Sequence, residues 1–259
     1  MTTSDRHPSA FRRRLAAGEK LAGTFIKTPT GHAIEIFGDL NYDFVIIDEE
    51  HAPFDRGSID QAVVAARAAG IAALVRVASA APAHLMSVLD CGATGVLVPH
   101  VAGVDKAMKI AAACRYRNGT RGFSNSPRAG NYGGLGMWAH VDACDAVATV
   151  VAQIEDPEAL DQIDAIARVD GIHALFIGRG DLAVAMGAAS PDAAEVRAAA
   201  ERIAAAARAA KKPVMVFTGT LADASAMRKL GASAFAVSSD QGLMRQAAAK
   251  VRAELDGIE

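Results

Sequence analysis

The sequence has few aromatic residues for its hydrophobic content. Only 5% of its 259 residues are aromatic, whereas 51% are hydrophobic, which describes an interior rich in alanine, valine and isoleucine. Such an interior suits helices packed on a parallel sheet better than an aromatic-cored β-sandwich. The composition therefore favours an α/β fold, and the length allows either one large domain or two small ones.

An excess of charge of one sign is also lacking. The 27 Lys and Arg residues nearly balance the 29 Asp and Glu residues, which gives a formal net charge of -2. This balance creates no field that would favour nucleic acid or an anionic membrane, so we expect neither as a partner. Because the sequence contains no long apolar run free of charges or turn signals, it predicts no membrane span and no export signal.

Cysteine patterns and nucleotide-binding patterns are scarce as well. The three cysteines are odd in number and lie far apart, which argues against a disulfide framework and a thiolate metal site. We therefore expect a cytoplasmic protein. No Gly-x-Gly-x-x-Gly joins a predicted strand to a helix, which disfavours the alternative of a doubly wound open sheet.

The sequence does contain a repeated pattern of short apolar runs, each bounded by Gly, Pro or Asp. Eight occur in order: LAGTFI, DFVIID, AALVRV, GVLVPH, TVVAQIE, HALFIG, PVMVF and AFAVSS. Amphipathic, alanine-rich segments separate them, as at 57–69, 103–114, 192–211 and 220–230. This pattern predicts a (β/α)8 TIM barrel. We expect one domain over 1–259, with an N-terminal helical extension at 1–20 and a C-terminal helix at 240–259.

One connection is too long for a simple crossover between neighbouring units. It covers residues 115–146, after the fourth βα unit, and is rich in Gly, Arg and Asn. Long ordered loops in compact domains are usually functional. We therefore expect an ordered loop over the mouth of the barrel, the opening at the carboxyl ends of its strands.

Two carboxylates follow neighbouring predicted strands. Glu155 ends the fifth and Asp181 comes shortly after the sixth, and active sites of such barrels lie where these ends converge. Two carboxylates can supply part of an oxygen cage for Mg²⁺ or Mn²⁺, with softer divalent ions as competitors. As alternatives, Glu155 caps the helix near Pro157 or pairs with Arg76. Gln153 lies on the same strand face as Glu155 and should point inward, unless it only satisfies a buried backbone group.

Other candidates are a histidine and an arginine. His51 follows three acids, an arrangement that could raise its pKa for proton transfer, although an idle exposed histidine is the alternative. Arg76 lies within an apolar strand and must find an anion or a polar cavity, so a structural salt bridge is the alternative. Backbone amides around Gly180 could bind a carboxylate, unless Asp181 is simply a helix N-cap. In LDCGATG, Asp90 can be a surface acid at a helix end.

Seven motifs in order resemble the HpcH/HpaI class II aldolases. They are IIDEEHAP, VRV, LDCGATGVLVPHV, RGFSNSPRA, VAQIE, FIGRGDLAVAMG and AFAVSSDQGLM, and they run from about Gly23 to the last helix. The resemblance implies a metal-dependent aldolase on a TIM barrel. It would cleave 4-hydroxy-2-oxo acids reversibly to pyruvate, or a related 2-oxo acid, and an aldehyde through a metal-stabilised enolate. No lysine is expected at an inward strand position, which agrees with a mechanism that uses no Schiff base.

The resemblance also implies roles for particular residues. Glu155 and Asp181 would bind the divalent metal, Mg²⁺ or Mn²⁺ with Co²⁺ or Zn²⁺ as alternatives. Gln153, the backbone of Gly180, and Asp181 would contact the 2-oxo acid. His51 would be the general acid and base, and Asp90 would hold and tune it. Arg76 would stabilise the enolate oxygen.

The chain departs from the family pattern at GRGDL, where the family usually has Gly-Pro-x-Asp-Leu. Arg179 in place of proline would make the carboxylate pocket more flexible or more cationic. The aldehyde would be recognised by the 115–146 loop, with Arg121, Arg128 and Tyr132 as candidates, although Arg121 could equally clamp the loop to the barrel. The resemblance further implies a hexamer, a trimer of dimers that exchange their terminal helix.

Two other functions are compatible with these motifs. One is a related carbon–carbon lyase acting on an acyl-CoA ester of a hydroxy acid, which would need a cationic phosphate-binding surface beyond the mouth. The other is a non-catalytic barrel that binds 2-oxo acids, which predicts the loss of at least one ligand or base.

Overall fold

The eight apolar runs form eight β-strands in the structure, a computed structural model that describes residues 7–258. Most strand ends lie within one residue of the predicted boundary, because the Gly, Pro and Asp positions that bound the runs also stop the strands. The strands are β1 Leu21–Ile26, β2 Phe44–Asp48, β3 Ala72–Arg76, β4 Gly95–Val98, β5 Thr149–Ile154, β6 Ala174–Ile177, β7 Val214–Thr218 and β8 Ala232–Ser239.

Helices separate the strands and pack around them. They are α1 Phe11–Ala16, α2 Gly31–Asp39, α3 Arg56–Ala68, α4 Pro82–Asp90, α5 Val104–Ala113, α6 Met137–Val147, α7 Ala159–Arg168, α8 Arg179–Met186, α9 Ala194–Ala209, α10 Leu221–Leu230 and α11 Asp240–Asp256. No helix within residues 7–258 has the length and apolarity needed to cross a membrane.

The strands close into a barrel in sequence order, from β1 to β8 and back to β1. Every neighbouring pair is parallel. The predicted (β/α)8 TIM barrel is therefore confirmed. All carboxyl ends of the strands meet at one opening, the mouth.

Two separate apolar cores follow from the alternation of side chains along each strand. In β2, Phe44 and Ile46 point into the barrel, whereas Val45 and Ile47 point outward to the helices. Phe11 of α1 belongs to the inner core and packs on Phe44 with 5.5 Å between ring centroids. The N-terminal helix therefore closes the amino end of the barrel and leaves the mouth open.

The long connection does not lie over the mouth, which corrects our expectation. It leaves the C-terminal end of α5 and enters the amino end of β5, so it runs along the end of the barrel opposite the mouth. It contains a 3-10 helix at Arg128–Gly133 and α6. Arg128 donates to the carbonyl oxygen of Cys91, and Arg121 Nη2 lies 2.7 Å from Asp90 Oδ1, both at the C-terminal end of α4.

One half-buried histidine, His173, predicts how stability depends on pH. The Nδ1 atom of His173 accepts the N–H of Val150 at 3.0 Å, and burial together with the Arg12 cation lowers the pKa of His173 to about 4. An unfolded histidine titrates near pH 6.5, so between these values only the unfolded chain binds the proton. The free energy of unfolding should therefore fall by about 2 kcal/mol as the pH drops through this window.

Urea unfolding at pH 7 and at pH 4.5 measures this effect. In His173→Asn the side-chain oxygen can still accept from Val150, but it does not titrate. We expect a smaller loss of stability between the two pH values in this variant. An equal loss in both proteins would assign the pH dependence to other groups.

Candidate active site

The polar side chains at the strand ends continue the inward alternation of the core. In β2 the inward residue Ile46 is followed two positions later by Asp48, and in β5 the inward residue Val151 is followed by Gln153. The same spacing from inward core residues directs three further side chains to the mouth: Lys27, Arg76 and Glu155. A site at the mouth thus follows directly from the strand register.

Three of these side chains, Lys27, Arg76 and Gln153, line a cavity of about 530 Å³ at the mouth. Its wall includes residues of six strands, among them Phe25, Arg76 and Gln153, together with Arg179 and Asp181 of α8. A cavity with apolar walls and a few converging charged groups is the usual form of a small-molecule site.

Glu155 is held at the mouth by two hydrogen bonds. Its Oε1 accepts the backbone N–H of His100 at 2.7 Å, and its Oε2 accepts from Gln153 Nε2, while only 1% of the side chain is exposed. Helix α7 begins at Ala159 with Glu158 as its N-cap. Glu155 therefore does not cap that helix, and no hydrogen bond or ion pair joins it to Arg76, so neither alternative for this residue describes the structure.

The electrostatics around Glu155 suit a bound cation. Burial raises the pKa of the Glu155 carboxyl above its usual value, and the negative charge of Asp181 raises it further. Gly178 allows the close approach of β6, because a Cβ at this position would lie only 2.6 Å from Glu155 Cβ. Two carboxylates whose charges repel at an opening would be stabilised by a divalent ion.

The side-chain oxygen of Gln153 is a second group at the mouth that could bind a ligand. Gln153 is 2% exposed, and its Oε1 has no hydrogen-bond partner among the described residues. Within residues 7–258 no group of three or more His, Cys, Asp and Glu side chains is arranged as a metal cage. Glu155 and Asp181 are thus the two carboxylates at the mouth that could bind a cation.

Arg76 lies in a buried ion pair that crosses from β3 to β2. Its Nε and Nη2 donate to the two carboxylate oxygens of Asp48 at 2.9 and 2.8 Å. Lys27 Nζ lies 2.8 Å from Asp48 Oδ2. Burial alone would raise the pKa of Asp48, but the two cations outweigh it and hold that pKa below its ordinary value. The salt-bridge alternative for Arg76 is thus real, yet Nη1 takes no part in the pair and Arg76 still lines the cavity.

The position of Lys27 contradicts one expectation from the sequence. We expected no lysine at an inward strand position, but Lys27 follows β1 in the inward alternation that begins with Leu21 and Phe25. It lines the cavity, so the absence of a lysine no longer argues against a Schiff base.

His51 lies in the loop after β2, with its imidazole 55% exposed. Its Nε2 lies 3.6 Å from Glu50 Oε2, and its backbone N–H donates to Asp48 Oδ1 at 3.3 Å. The other oxygen of Glu50 lies 3.8 Å from His100 Nε2. His51 is therefore accessible at the mouth and lies beside the acids that precede it.

Arg179 does not make the mouth more cationic, in contrast to our expectation. It is the first residue of α8, 7% exposed, and its guanidinium pairs with Asp192 and Asp223. The N-cap of α8 is Gly178, so Asp181 lies in the first turn and is not the cap. Gly180 and Asp181 are both exposed beside the cavity.

Asp90 and His51 are not brought together within one chain. Helix α4 runs antiparallel to the strands, so Asp90 at its C-terminal end lies at the amino end of the barrel, where it pairs with Arg121. Arg121 thus clamps the loop to the barrel, as one alternative stated. Arg128 pairs with Asp60, and Tyr132 is 68% exposed. A second cavity of about 540 Å³ lies under this loop, away from the mouth.

Sequence reasoning did not single out His100. This residue follows β4 with φ of +55°, a left-handed conformation that is unusual for histidine. Its Nδ1 lies 3.0 Å from Asp156 Oδ1 and 3.5 Å from Glu155 Oε1. Only its place after the fourth strand could have suggested this, because its carboxylate partners come from another strand.

The sequence of residues 21–247 matches the family model described as HpcH/HpaI aldolase/citrate lyase. The chain belongs to this family. A 5-keto-4-deoxy-D-glucarate aldolase from Enterobacter sp. (strain 638) is 32% identical over 251 residues, which cover 96% of this chain and 97% of that protein.

Solved structures of HpcH/HpaI proteins share the whole fold. A family member from Burkholderia cenocepacia J2315 has a TM-score of 0.91 and 27% identity, covering 96% of this chain and all of that chain. The citrate synthase SbnG has a TM-score of 0.85 and 26% identity, covering 96% of this chain and 98% of that chain. The protein is thus an enzyme, a carbon–carbon lyase of the HpcH/HpaI family.

Proposed function

We propose that the protein is a divalent-metal-dependent aldolase that cleaves 4-hydroxy-2-oxo acids to pyruvate, or a related 2-oxo acid, and an aldehyde. The observation that carries the proposal is the buried Glu155 beside Asp181, with Gln153 and Arg76 on the same cavity. The 32% identity to a 5-keto-4-deoxy-D-glucarate aldolase supports a hydroxylated oxo acid as substrate.

Glu155 and Asp181 would hold the divalent ion, which supplies positive charge to the carboxylate and C2 oxygen of the 2-oxo acid. Gln153 can orient the substrate, since its amide is already fixed by the bond to Glu155. The first backbone amides of α8, including that of Gly180, face the carboxylate. Arg76 keeps Nη1 for the C2 oxygen while Asp48 fixes its other nitrogens.

In the cleavage direction, His51 removes the proton from the C4 hydroxyl group. The C3–C4 bond then breaks, its electron pair passes through C3 to the C2 oxygen, and C4 becomes the carbonyl carbon of the aldehyde. Protonation of C3 gives the methyl group of pyruvate. The exposed position of His51 at the mouth suits a group that exchanges protons with both substrate and solvent.

The proposed tuning of His51 by Asp90 requires a second copy of the chain, because the two residues lie at opposite ends of one barrel. We propose a homo-oligomer, a hexamer built as a trimer of dimers that exchange α11. The apolar side chains that α11 leaves exposed support this assembly: Met244, Val251 and Leu255, with Ile258 just beyond its end.

Metal removal and restoration test the proposed function. The chelated enzyme should release no pyruvate from 4-hydroxy-2-oxo acids, and Mg²⁺, Mn²⁺, Co²⁺ or Zn²⁺ added singly should restore release to different extents. The metal-loaded enzyme should also exchange solvent deuterium into the methyl group of pyruvate without any aldehyde. Full activity in chelator would contradict the metal requirement.

Two further measurements separate the alternatives. Borohydride with pyruvate would inactivate an enzyme that forms a Schiff base through Lys27, whereas we expect activity to survive. An acyl-CoA ester of a hydroxy acid, offered to the metal-loaded enzyme, tests the alternative carbon–carbon lyase reaction. Carbon–carbon bond cleavage in the acyl group of this ester, without cleavage of any 4-hydroxy-2-oxo acid, would favour that alternative.

A further inference from the structure

Arg179 joins the first turn of α8 to two other segments at the mouth. Its Nη1 lies 3.2 Å from Asp192 Oδ1, in the connection between α8 and α9. Its Nη2 lies 2.5 Å from Asp223 Oδ2, in the first turn of α10, and 3.4 Å from the carbonyl oxygen of Phe217 in β7. The Arg179 side chain is 7% exposed and Asp223 is 21% exposed, so their contact is made largely out of water, whereas Asp192 is 79% exposed.

The turn that Arg179 holds carries groups of the proposed site. The first helical bond of α8 runs from Leu182 N to Gly178 O at 3.0 Å, so the three preceding amides are free of intrahelical partners. Asp181 belongs to the same turn, and Gly178 abuts Glu155. A shift of this turn would therefore move Asp181 relative to Glu155.

The first turn of α8 has no side-chain capping hydrogen bond to fix it. Gly178 and Gly180 flank Arg179, and glycine gives the backbone wide conformational freedom. The N-cap Gly178 has no side chain to cap the helix, and α8 is only 8 residues long. Leu182 packs in the outer core, and the ion pairs of Arg179 add polar side-chain contacts that tie the start of α8 to the barrel wall.

We propose that Arg179 is a positioning residue that fixes Asp181 and the first amides of α8 through its ion pairs with Asp223 and Asp192. The proposal rests on the proposed function in taking Asp181 as a ligand of the metal and the 2-oxo acid. In this role Arg179 acts through Asp181 and the amides of α8, because both of its terminal nitrogens are bound to the protein. A merely structural ion pair would stabilise the fold without affecting ligand binding.

Three variants distinguish positioning from stability. Arg179→Met removes the ion pairs, whereas Arg179→Pro removes them but restricts φ at the first position of a helix, where proline is favoured. Arg202→Met is the matched control, since Arg202 forms a similar two-nitrogen pair with Asp164 on the outer helices α9 and α7. Calorimetry gives the Mn²⁺ affinity, hydrogen–deuterium exchange gives the mobility of α8, and kinetics give KM and kcat for the 2-oxo acid.

We expect Arg179→Met to weaken Mn²⁺ binding about 10-fold, as loss of a group that orients a metal ligand typically does. Amides of α8 should exchange faster, and KM should rise more than kcat falls. Arg179→Pro should recover Mn²⁺ affinity to within about threefold of the original protein, because it restricts the same backbone. Arg202→Met should change none of these quantities.

The proposal is wrong if Arg179→Met behaves like Arg202→Met, or if Arg179→Pro binds Mn²⁺ no better than Arg179→Met. If Arg179→Met does not fold, Asp223→Asn provides the same test, because it keeps the arginine and weakens its pair. Failure of the unmodified protein to bind Mn²⁺ would overturn its proposed metal dependence. The exchange of α8 amides would still decide whether Arg179 holds the turn.

Discussion

Glu155→Gln is expected to lower kcat/KM for a 4-hydroxy-2-oxo acid by about 10³-fold, since a metal contributes several kcal/mol to the transition state. The change removes one of the two negative charges, those of Glu155 and Asp181, that would bind the proposed cation. The fold should tolerate it, because the Gln153 amide can rotate and offer its unpartnered Oε1 to the new NH₂ group. Pyruvate release and Mn²⁺ calorimetry measure the two effects separately.

Glu158→Gln is the matched control for this prediction. Glu158 lies three residues further on, is exposed, and makes no capping hydrogen bond at the start of α7. It should keep full activity and Mn²⁺ affinity. Unchanged activity in Glu155→Gln would refute the assignment of Glu155 as a metal ligand, whatever the control shows.

Arg76→Met is expected to lower kcat by about 10²- to 10³-fold, because it removes a donor aimed at the developing charge on the C2 oxygen. It should also lower the free energy of unfolding by about 3 kcal/mol, because Asp48 is completely buried and would keep Lys27 alone as an ion-pair partner. Kinetics and urea unfolding measure the two losses.

The double variant Arg76→Met with Asp48→Asn separates these two effects. Removal of the buried charge should return the stability to within about 1 kcal/mol of the original protein, because the two residues are direct partners. Activity should stay low, since Lys27, the cation that remains at the cavity, extends from the end of β1 and does not occupy the position of Arg76 on β3. If activity returns together with stability, Arg76 serves only to neutralise Asp48, and its proposed role in catalysis is wrong.

The inward direction of Gln153 and Glu155 could be predicted from the sequence. Side chains alternate along a strand, so two polar residues spaced by two at the end of VVAQIE must share one face. The partners of these residues could not be predicted this way. Glu155 accepts the N–H of His100, which follows the neighbouring strand β4. Arg76 pairs with Asp48, its register neighbour across β2 and β3.

Two errors had a signal in the sequence that we did not use. The 115–146 connection follows a predicted helix and precedes a predicted strand, which already places it at the amino end of a barrel. Asp90 ends a predicted helix, which places it at the same amino end of the barrel. Lys27 lies two residues after Phe25, so its inward direction also followed from the alternation of β1.

The sequence by itself determined the strands, their order, the closed barrel and the end at which the polar residues gather. These depend on local periodicity and chain connectivity, which a single sequence contains. The tertiary structure alone decided which charges meet: Asp48 with Arg76 and Lys27, Glu155 with His100, and Arg179 with Asp223. Such pairings depend on strand register and on the reach of side chains between loops, which local patterns do not encode.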